Sequence, residues 1–208
     1  MLNKINRKDC INKYKRLPLR EYNSKKQEDD FYYPKVFANY VLTLNSKSYK
    51  GHIKLLGIEL TNLINNLSCE NLIFLGDEDI PWLYRSQEYN DFKPAKEGFQ
   101  FLSNNKVGKK FNGALQVELV ELPTFIKHLA WLVRTNALIP YVHFIDIGQN
   151  IIGDICQYGN LHISSINRKA DSFLKEKITK SKFEYLGEKT CYNKFSKAGK
   201  IKGRRIIV

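Results

Sequence analysis

The stretch that decides the fold covers residues 141–166 and reads YVHFIDIGQNIIGDICQYGNLHISSI. It contains three apolar runs, which are 141–148, 151–158 and 161–166. The gaps between the runs, Gln149-Asn150 and Gly159-Asn160, are two residues long and contain Asn or Gly, as tight β-hairpin turns do. The stretch therefore predicts a three-stranded antiparallel meander.

The flanking segments extend this meander into a mixed pattern of helices and strands. Leucine and isoleucine recur at helical spacing over 51–67, and Pro123 suits the first turn of a helix that runs to about Asn136. A polar helix is predicted at about 168–180, while 36–44 fits either a strand or a helix. Further strands are predicted at 72–75, 114–119, 183–186 and 204–208. We predict an α+β fold, with a mostly antiparallel sheet packed by two or three helices.

Two segments stand apart from this pattern. Residues 1–30 are polar and charged and are interrupted by Leu17-Pro18-Leu19, so they predict a basic N-terminal arm ahead of a single α+β domain at 31–208. Residues 86–110 are polar and rich in turn residues, so they predict a long loop. The domain ends in a basic C-terminal segment at 167–208.

Positive charge is concentrated at the two ends of the chain. The formal net charge is +13. Residues 1–27 carry nine Lys or Arg against two acidic residues, and 167–208 carry thirteen against four, whereas 28–166 has a net charge of −3. A near-neutral body with two basic ends is typical of a protein whose surface faces a polyanion.

We therefore predict that the protein binds nucleic acid, either DNA or RNA, through its two ends and with low sequence specificity, because Lys and Arg neutralise phosphates. The predicted contacts are Lys13, Lys15, Arg16, Arg20, Lys197, Lys200, Lys202, Arg204 and Arg205. Twelve tyrosines and two tryptophans suit a protein interface as well as they suit bases. The alternative is a protein–protein interaction module, of the inhibitor or immunity type, that docks on an acidic partner.

A second alternative is a magnesium-dependent nuclease. The acidic residues Asp77, Glu78 and Asp79 come directly after the predicted strand at 72–75. Asp77 and Asp79 are the candidate catalytic carboxylates and metal ligands, because Mg²⁺ prefers hard oxygen ligands. No cofactor is predicted unless this alternative holds. The competing interpretation is an exposed loop whose acidic residues cap the next turn.

The meander offers a third candidate site. If both turns are two residues long, His143 lies opposite Cys156, and Asp154 is a diagonal neighbour on the same face. These three residues then form a thiol-nucleophile arrangement, in which His143 deprotonates Cys156 and Asp154 orients the imidazole. A register shift of one residue would abolish the grouping, and Cys156 among isoleucines also fits an inert buried thiol.

The sequence argues against several other classes of protein. No stretch approaches the ~20 apolar residues that span a bilayer, and no apolar run follows the basic N-terminus as in a signal peptide, so no membrane partner is expected. The four cysteines form no C-x-x-C pair and predict reduced thiols in a cytoplasmic protein. Motifs such as G-x-S-x-G, H-E-x-x-H and G-x-G-x-x-G are absent, so enzymatic activity and the oligomeric state stay open.

Overall fold

A computed structural model describes residues 2–84, 86, 92–135, 139, 141–187 and 191–195, and over these residues the chain forms ten strands and five helices. The strands are β1 (Asn3–Ile5), β2 (Leu19–Asn23), β3 (Glu28–Tyr32), β4 (Ala38–Leu44), β5 (Asn71–Leu75), β6 (Ala114–Glu118), β7 (His143–Asp146), β8 (Ile151–Ile155), β9 (Leu161–Ser165) and β10 (Phe183–Tyr185). The helices are α1 (Arg7–Lys13), α2 (Tyr49–Asn66), α3 (Lys93–Asn104), α4 (Leu122–Arg134) and α5 (Arg168–Thr179). The predicted α+β class is confirmed.

Eight of the strands form one antiparallel sheet in the order β1-β6-β5-β7-β8-β9-β4-β10, and β2 and β3 form a separate hairpin. The strands β7, β8 and β9 are adjacent and antiparallel, which confirms the predicted meander. The predicted two-residue turns are wrong, because β7 and β8 are joined by residues 147–150. The Asp146 carboxylate holds this longer loop by accepting the backbone N–H groups of Asn150 and Ile151, both at 2.7 Å.

Helices α2, α3, α4 and α5 cover one face of the sheet. The strand β5 shows how the sequence divides between the two faces, because successive side chains of a strand point to opposite sides. Leu72 and Phe74 are fully buried in the cluster that includes the apolar stripes of these four helices. Ile73 and Leu75 belong to a second, smaller cluster on the other side. The helix-covered face therefore holds most of the core.

The opposite side, which we call the open face, is covered only in part by α1. Cys10, Tyr14 and Leu17 are buried against the small cluster on this side. β1 forms one edge of the sheet, where it pairs with β6 in antiparallel register. Residues from the predicted basic arm, 1–30, therefore contribute a sheet strand and a helix that packs on the sheet, while the division of the chain into domains stays a prediction.

The predicted loop at 86–110 is wrong, because α3 occupies its middle part, Lys93–Asn104. Ala95, Phe99 and Leu102 are buried on one side of this helix, and Pro94 suits its first turn. Polar residues on the solvent side conceal this stripe in the sequence. The ambiguous segment at 36–44 forms β4, and the strand predicted at 204–208 lies outside the described residues.

Among the described residues, the helices are all too short or too polar to cross a bilayer.

Candidate functional site

A row of three polar side chains crosses the open face at the meander. His143 lies opposite Asp154 in the β7–β8 register, and Asp154 lies opposite His162 in the β8–β9 register. Residues that are directly opposite in antiparallel strands share a face, so the Asp154 carboxylate lies between two imidazoles. Burial lowers the pKa of both histidines, but at His162 a hydrogen bond with Cys191 and the charge of Asp154 outweigh burial and raise it.

The open face has a cleft of about 680 Å³ beside this row. Its lining includes Asp154, His162 and Ser164 from the meander, Tyr33 from the segment after β3, and Cys191 from the segment after β10. The cleft therefore combines a carboxylate, an imidazole and a thiol from distant parts of the chain, and it is the largest concentration of reactive groups that we find on the open face.

Three polar groups contact the sulfur of Cys191 at the wall of this cleft. Its Sγ lies 3.3 Å from Sγ of Cys156 and 3.4 Å from Nε2 of His162, and it accepts a hydrogen bond of 3.2 Å from Nδ2 of Asn160. The Cys156 contact outweighs burial and, with His162 and Asn160, lowers the pKa of Cys191 to about 5. The contact with Cys191 and burial raise the pKa of Cys156. With polar contacts from His162 and Asn160 as well as Cys156, Cys191 is the more acidic of the two thiols.

The predicted pairing of His143 with Cys156 is wrong. The four-residue connection between β7 and β8 moves the register by two residues, so Asp154 takes the place opposite His143 that the prediction gave to Cys156. Cys156 instead lies just past the end of β8, in a turn that brings it to Cys191.

Ligand atoms of Cys156, His162 and Cys191 all lie within 4.8 Å of one another. In the part of the chain that the structure describes, this is the one group of three or more Cys, His, Asp or Glu side chains close enough to share a metal ion. Asp77 and Asp79, the predicted magnesium ligands, do not belong to such a group.

Asp77 is buried and is held in an ion pair at 3.2 Å from Arg20. Burial raises the pKa of Asp77 to about 6, although the charges of Arg20 and Arg7 act in the opposite direction. Asp79 is exposed. Because a guanidinium already pairs with the Asp77 carboxylate, the geometry lends no support to a magnesium site there.

A pair of exposed aromatic rings lies on the same side of the molecule as the β2–β3 hairpin. Phe31 and Tyr141 are 64% and 51% exposed, and their ring centroids are 6.1 Å apart. The Arg20 guanidinium lies over both rings, 5.6 Å from the centroid of Phe31 and 4.5 Å from that of Tyr141. Ion pairs with Asp29 and Asp77 hold the guanidinium in turn. Arg20, a predicted phosphate contact, is therefore used to position two aromatic rings.

The other predicted basic contacts of the N-terminal segment are exposed. Lys13, Lys15 and Arg16 lie at the end of α1 and in the turn that follows it. Two hydrogen bonds tie this turn to the β7–β8 loop, because Arg16 donates to the carbonyl of Gln149 and the Gln149 side chain donates to the carbonyl of Lys13. The five predicted C-terminal contacts lie outside the described residues; they are Lys197, Lys200, Lys202, Arg204 and Arg205.

Sequence reasoning missed Cys191 and the exposed aromatic pair. Cys191 lies 35 residues from Cys156, and no spacing rule links two cysteines at that distance when β9, α5 and β10 lie between them. The sequence could have linked His162 to Cys156, because the predicted turn at Gly159-Asn160 brings the end of β8 close to the start of β9. Aromatic residues in a sequence do not reveal whether they lie in the core or on the surface.

Comparisons of the chain with protein-family models, with curated proteins and with solved structures found no match.

Proposed function

We propose that the protein binds single-stranded nucleic acid on its open face, with bases stacked on exposed aromatic rings and phosphates paired with neighbouring lysine and arginine side chains. The observation that carries this proposal is the exposed Phe31 and Tyr141 pair, which Arg20 holds in place. Exposed apolar side chains that adjoin in a patch, unlike single exposed rings, mark an interaction surface.

The way in which the rings are held supports a stacking role. Each stacked base contributes about 1–3 kcal/mol in single-strand-binding proteins, and every base has a face that can stack. Rings that are fixed before binding lose less conformational entropy when a base arrives. Arg20, tied down by Asp29 and Asp77, supplies that pre-organisation for Phe31 and Tyr141.

The exposed cations beside the rings support a polyanionic partner. The Tyr32 hydroxyl donates to the carbonyl of Lys15 at 3.2 Å, which joins the aromatic hairpin to the basic turn that carries Lys13, Lys15 and Arg16. A strand of nucleic acid that contacts both features meets positive charge and stacking surfaces together, as in proteins that bind single strands without sequence preference. The basic C-terminal residues 197–205 add charge to the proposed interaction. We place the protein in the cytoplasm, where thiols stay reduced.

The alternative partner, an acidic protein, would use the same charges and aromatic rings. The two partners differ in what competes for the surface. A single-stranded oligonucleotide should occupy the aromatic pair at physiological salt if nucleic acid is the partner. If the partner is a protein, oligonucleotides should bind only weakly and should be released by salt.

The proposal is tested by measuring the binding of fluorescent single-stranded and duplex oligonucleotides over a salt series. One variant replaces Lys13, Lys15 and Arg16 by Gln, and a matched control replaces Lys47, Lys50 and Lys54, which are exposed at and around α2 on the helix-covered side. Both variants lose three positive charges. We expect the first to flatten the dependence of log Kd on log salt by about two to three units and the control to leave it nearly unchanged. Equal effects of the two variants would contradict the proposal.

A further inference from the structure

We infer that Cys156, His162 and Cys191 form a binding site for a soft divalent metal, Zn²⁺, with three protein ligands and a fourth position that opens into the cleft. The site goes beyond the proposed nucleic-acid binding and does not depend on it. Its first support is geometric, because one potential ligand atom from each side chain lies within 4.8 Å of the other two.

The donor set selects the metal. Two cysteine sulfurs and one imidazole nitrogen are ligands that suit Zn²⁺ and disfavour Mg²⁺ or Ca²⁺, which take oxygen ligands. Catalytic zinc sites in proteins commonly have three protein ligands of this kind, including two cysteines with one histidine.

The distances are close to those that a zinc ion requires. With Zn–S bonds of about 2.3 Å, two sulfurs at tetrahedral positions lie about 3.8 Å apart. The sulfurs of Cys156 and Cys191 lie 3.3 Å apart, and Nε2 of His162 lies 3.4 Å from Sγ of Cys191. The two sulfurs therefore have to separate by about 0.5 Å, and a distance of 3.4 Å between Nε2 and Sγ already suits a shared ion, with all three ligand atoms within 4.8 Å of one another.

The local backbone explains why the three ligands meet. Cys156 accepts a hydrogen bond at its carbonyl from Gly159 N–H, and its own N–H donates to the Asn160 carbonyl, so residues 156–160 form a tight turn. Gly159 adopts a φ of +81°, a left-handed conformation that glycine tolerates best. This turn places Cys156 at the end of β8 close to His162 on β9.

Residues around the ligands complete a supporting shell. The Asn160 side chain donates to the Cys191 sulfur at 3.2 Å and to the carbonyl of Tyr192 at 3.1 Å, which fixes the segment after β10 against the meander. Asp154, opposite His162, lies where a carboxylate can orient the imidazole and raise its basicity. Such partners around the ligands are a regular part of zinc sites in proteins.

The fourth position is open. Across the described residues, no further Cys, His, Asp or Glu joins the cluster, and Cys191 and His162 line the cleft of about 680 Å³. Water is the expected fourth ligand, and a zinc ion with one open position lowers the pKa of bound water to about 7. The class of ligand that the site would take from solution is therefore water or a small anionic or thiol group that replaces it.

The experiment uses the full chain, reduced and stripped of metal by a chelator, and titrates it with Zn²⁺ in competition with a chromophoric chelator. We expect one zinc ion per chain. The Cys191→Ser variant should bind Zn²⁺ at least about tenfold more weakly, because it loses a ligand. The Cys69→Ser variant is the matched control, because Cys69 is also a half-buried thiol but lies outside the cluster.

A spectroscopic measurement on the unaltered chain does not depend on whether the variants fold. Co²⁺ bound to the unaltered chain should give the intense visible bands of a tetrahedral ion and a thiolate-to-metal charge-transfer band, and Zn²⁺ should displace it. Two results would overturn the inference: no stoichiometric binding of Zn²⁺ or Co²⁺ by the reduced protein, or equal binding by the Cys191→Ser and Cys69→Ser variants. Mass spectrometry of the alkylated protein confirms that Cys156 and Cys191 are reduced and not joined by a disulfide. Oligonucleotide binding by the metal-free protein tests the proposed function separately.

Discussion

The two faces of the eight-stranded sheet differ in what they bury. On the helix-covered face, Phe144 of β7, Ile151 of β8 and Leu161 of β9 are buried among the apolar stripes of four helices. On the open face, the same three meander strands place His143, Asp154 and His162 in a row beside a cleft. One alternating sequence thus supplies stability on one side and chemically active groups on the other. Stability and the candidate function can therefore be tested separately.

The largest difference between the faces should appear in stability. The Phe74→Ala variant, on the helix-covered face, should lower the free energy of unfolding by about 3–5 kcal/mol, because it opens a cavity in the main core. The Phe31→Ala variant removes a ring that is 64% exposed and should cost about 1 kcal/mol or less. Urea unfolding of both variants measures this. Similar losses would show that the aromatic hairpin is part of the core.

The free energy of unfolding should depend on pH because of His128, which is buried on α4 at the helix-covered face. Burial lowers the pKa of His128 to about 4, below its value of about 6.5 in an unfolded chain. The unfolded chain therefore takes up the proton first, so the stability from the neutral imidazole is present above about pH 6.5 and is lost as pH falls towards 4.

We expect the His128→Gln variant to lose roughly 2 kcal/mol less stability than the unaltered chain over this interval. Unfolding free energies of both proteins at several pH values provide the check. Parallel curves between pH 4 and 6.5 would mean that His128 is readily protonated in the folded state.

The aromatic pair on the open face should affect binding more than folding. Replacing both Phe31 and Tyr141 by Ala should weaken binding of a single-stranded oligonucleotide by about 1–3 kcal/mol, roughly 5- to 150-fold, because stacking is lost. The slope of log Kd against log salt should stay the same, since no cation is removed. A variant with Phe92 and Phe173 replaced by Ala, two exposed rings on the helix-covered side, is the control. An equal loss of binding affinity in the control would show that Phe31 and Tyr141 have no particular role in binding.

A smaller effect on binding should show whether Arg20 positions the two aromatic rings or contacts a phosphate directly. The Arg20→Lys variant keeps the charge but loses the planar guanidinium that bridges Asp29, Asp77 and the two rings. We expect single-strand binding to weaken by roughly 0.5–1 kcal/mol with an unchanged salt slope, because the rings are held less firmly. The Arg20→Gln variant, which removes the charge, completes the test: a flatter salt slope in this variant would instead identify Arg20 as a direct phosphate contact, as its sequence position suggested.

The local pattern of the sequence was sufficient to predict the meander and the helices α2, α4 and α5. Both turns of the meander are marked by Asn or Gly, α2 and α4 have clear apolar stripes, and α5 was predicted as a polar helix. The turn lengths could not be predicted, because the β7–β8 loop is set by the Asp146 side chain capping two backbone N–H groups. A capping contact of this kind depends on the folded geometry of the loop.

The candidate site was harder to predict than the fold. Asp154 and Cys156 were identified in the sequence, but their partners depend on register and on a segment that returns from beyond β10. Cys191 reaches Cys156 only after α5 and β10 have turned the chain back to the meander. Arg20 is a comparable case, because its role follows from tertiary contacts with Asp29 and Asp77 that no local pattern specifies.

The most direct test of the central claim is to map where a single strand lies on the protein. A bromouridine-containing oligonucleotide is crosslinked to the full chain by ultraviolet light, and the modified peptides are identified by mass spectrometry. The open-face account predicts crosslinks within residues 28–33 and at Tyr141. Crosslinks confined to the helix-covered side, or confined to residues 196–208, would contradict it.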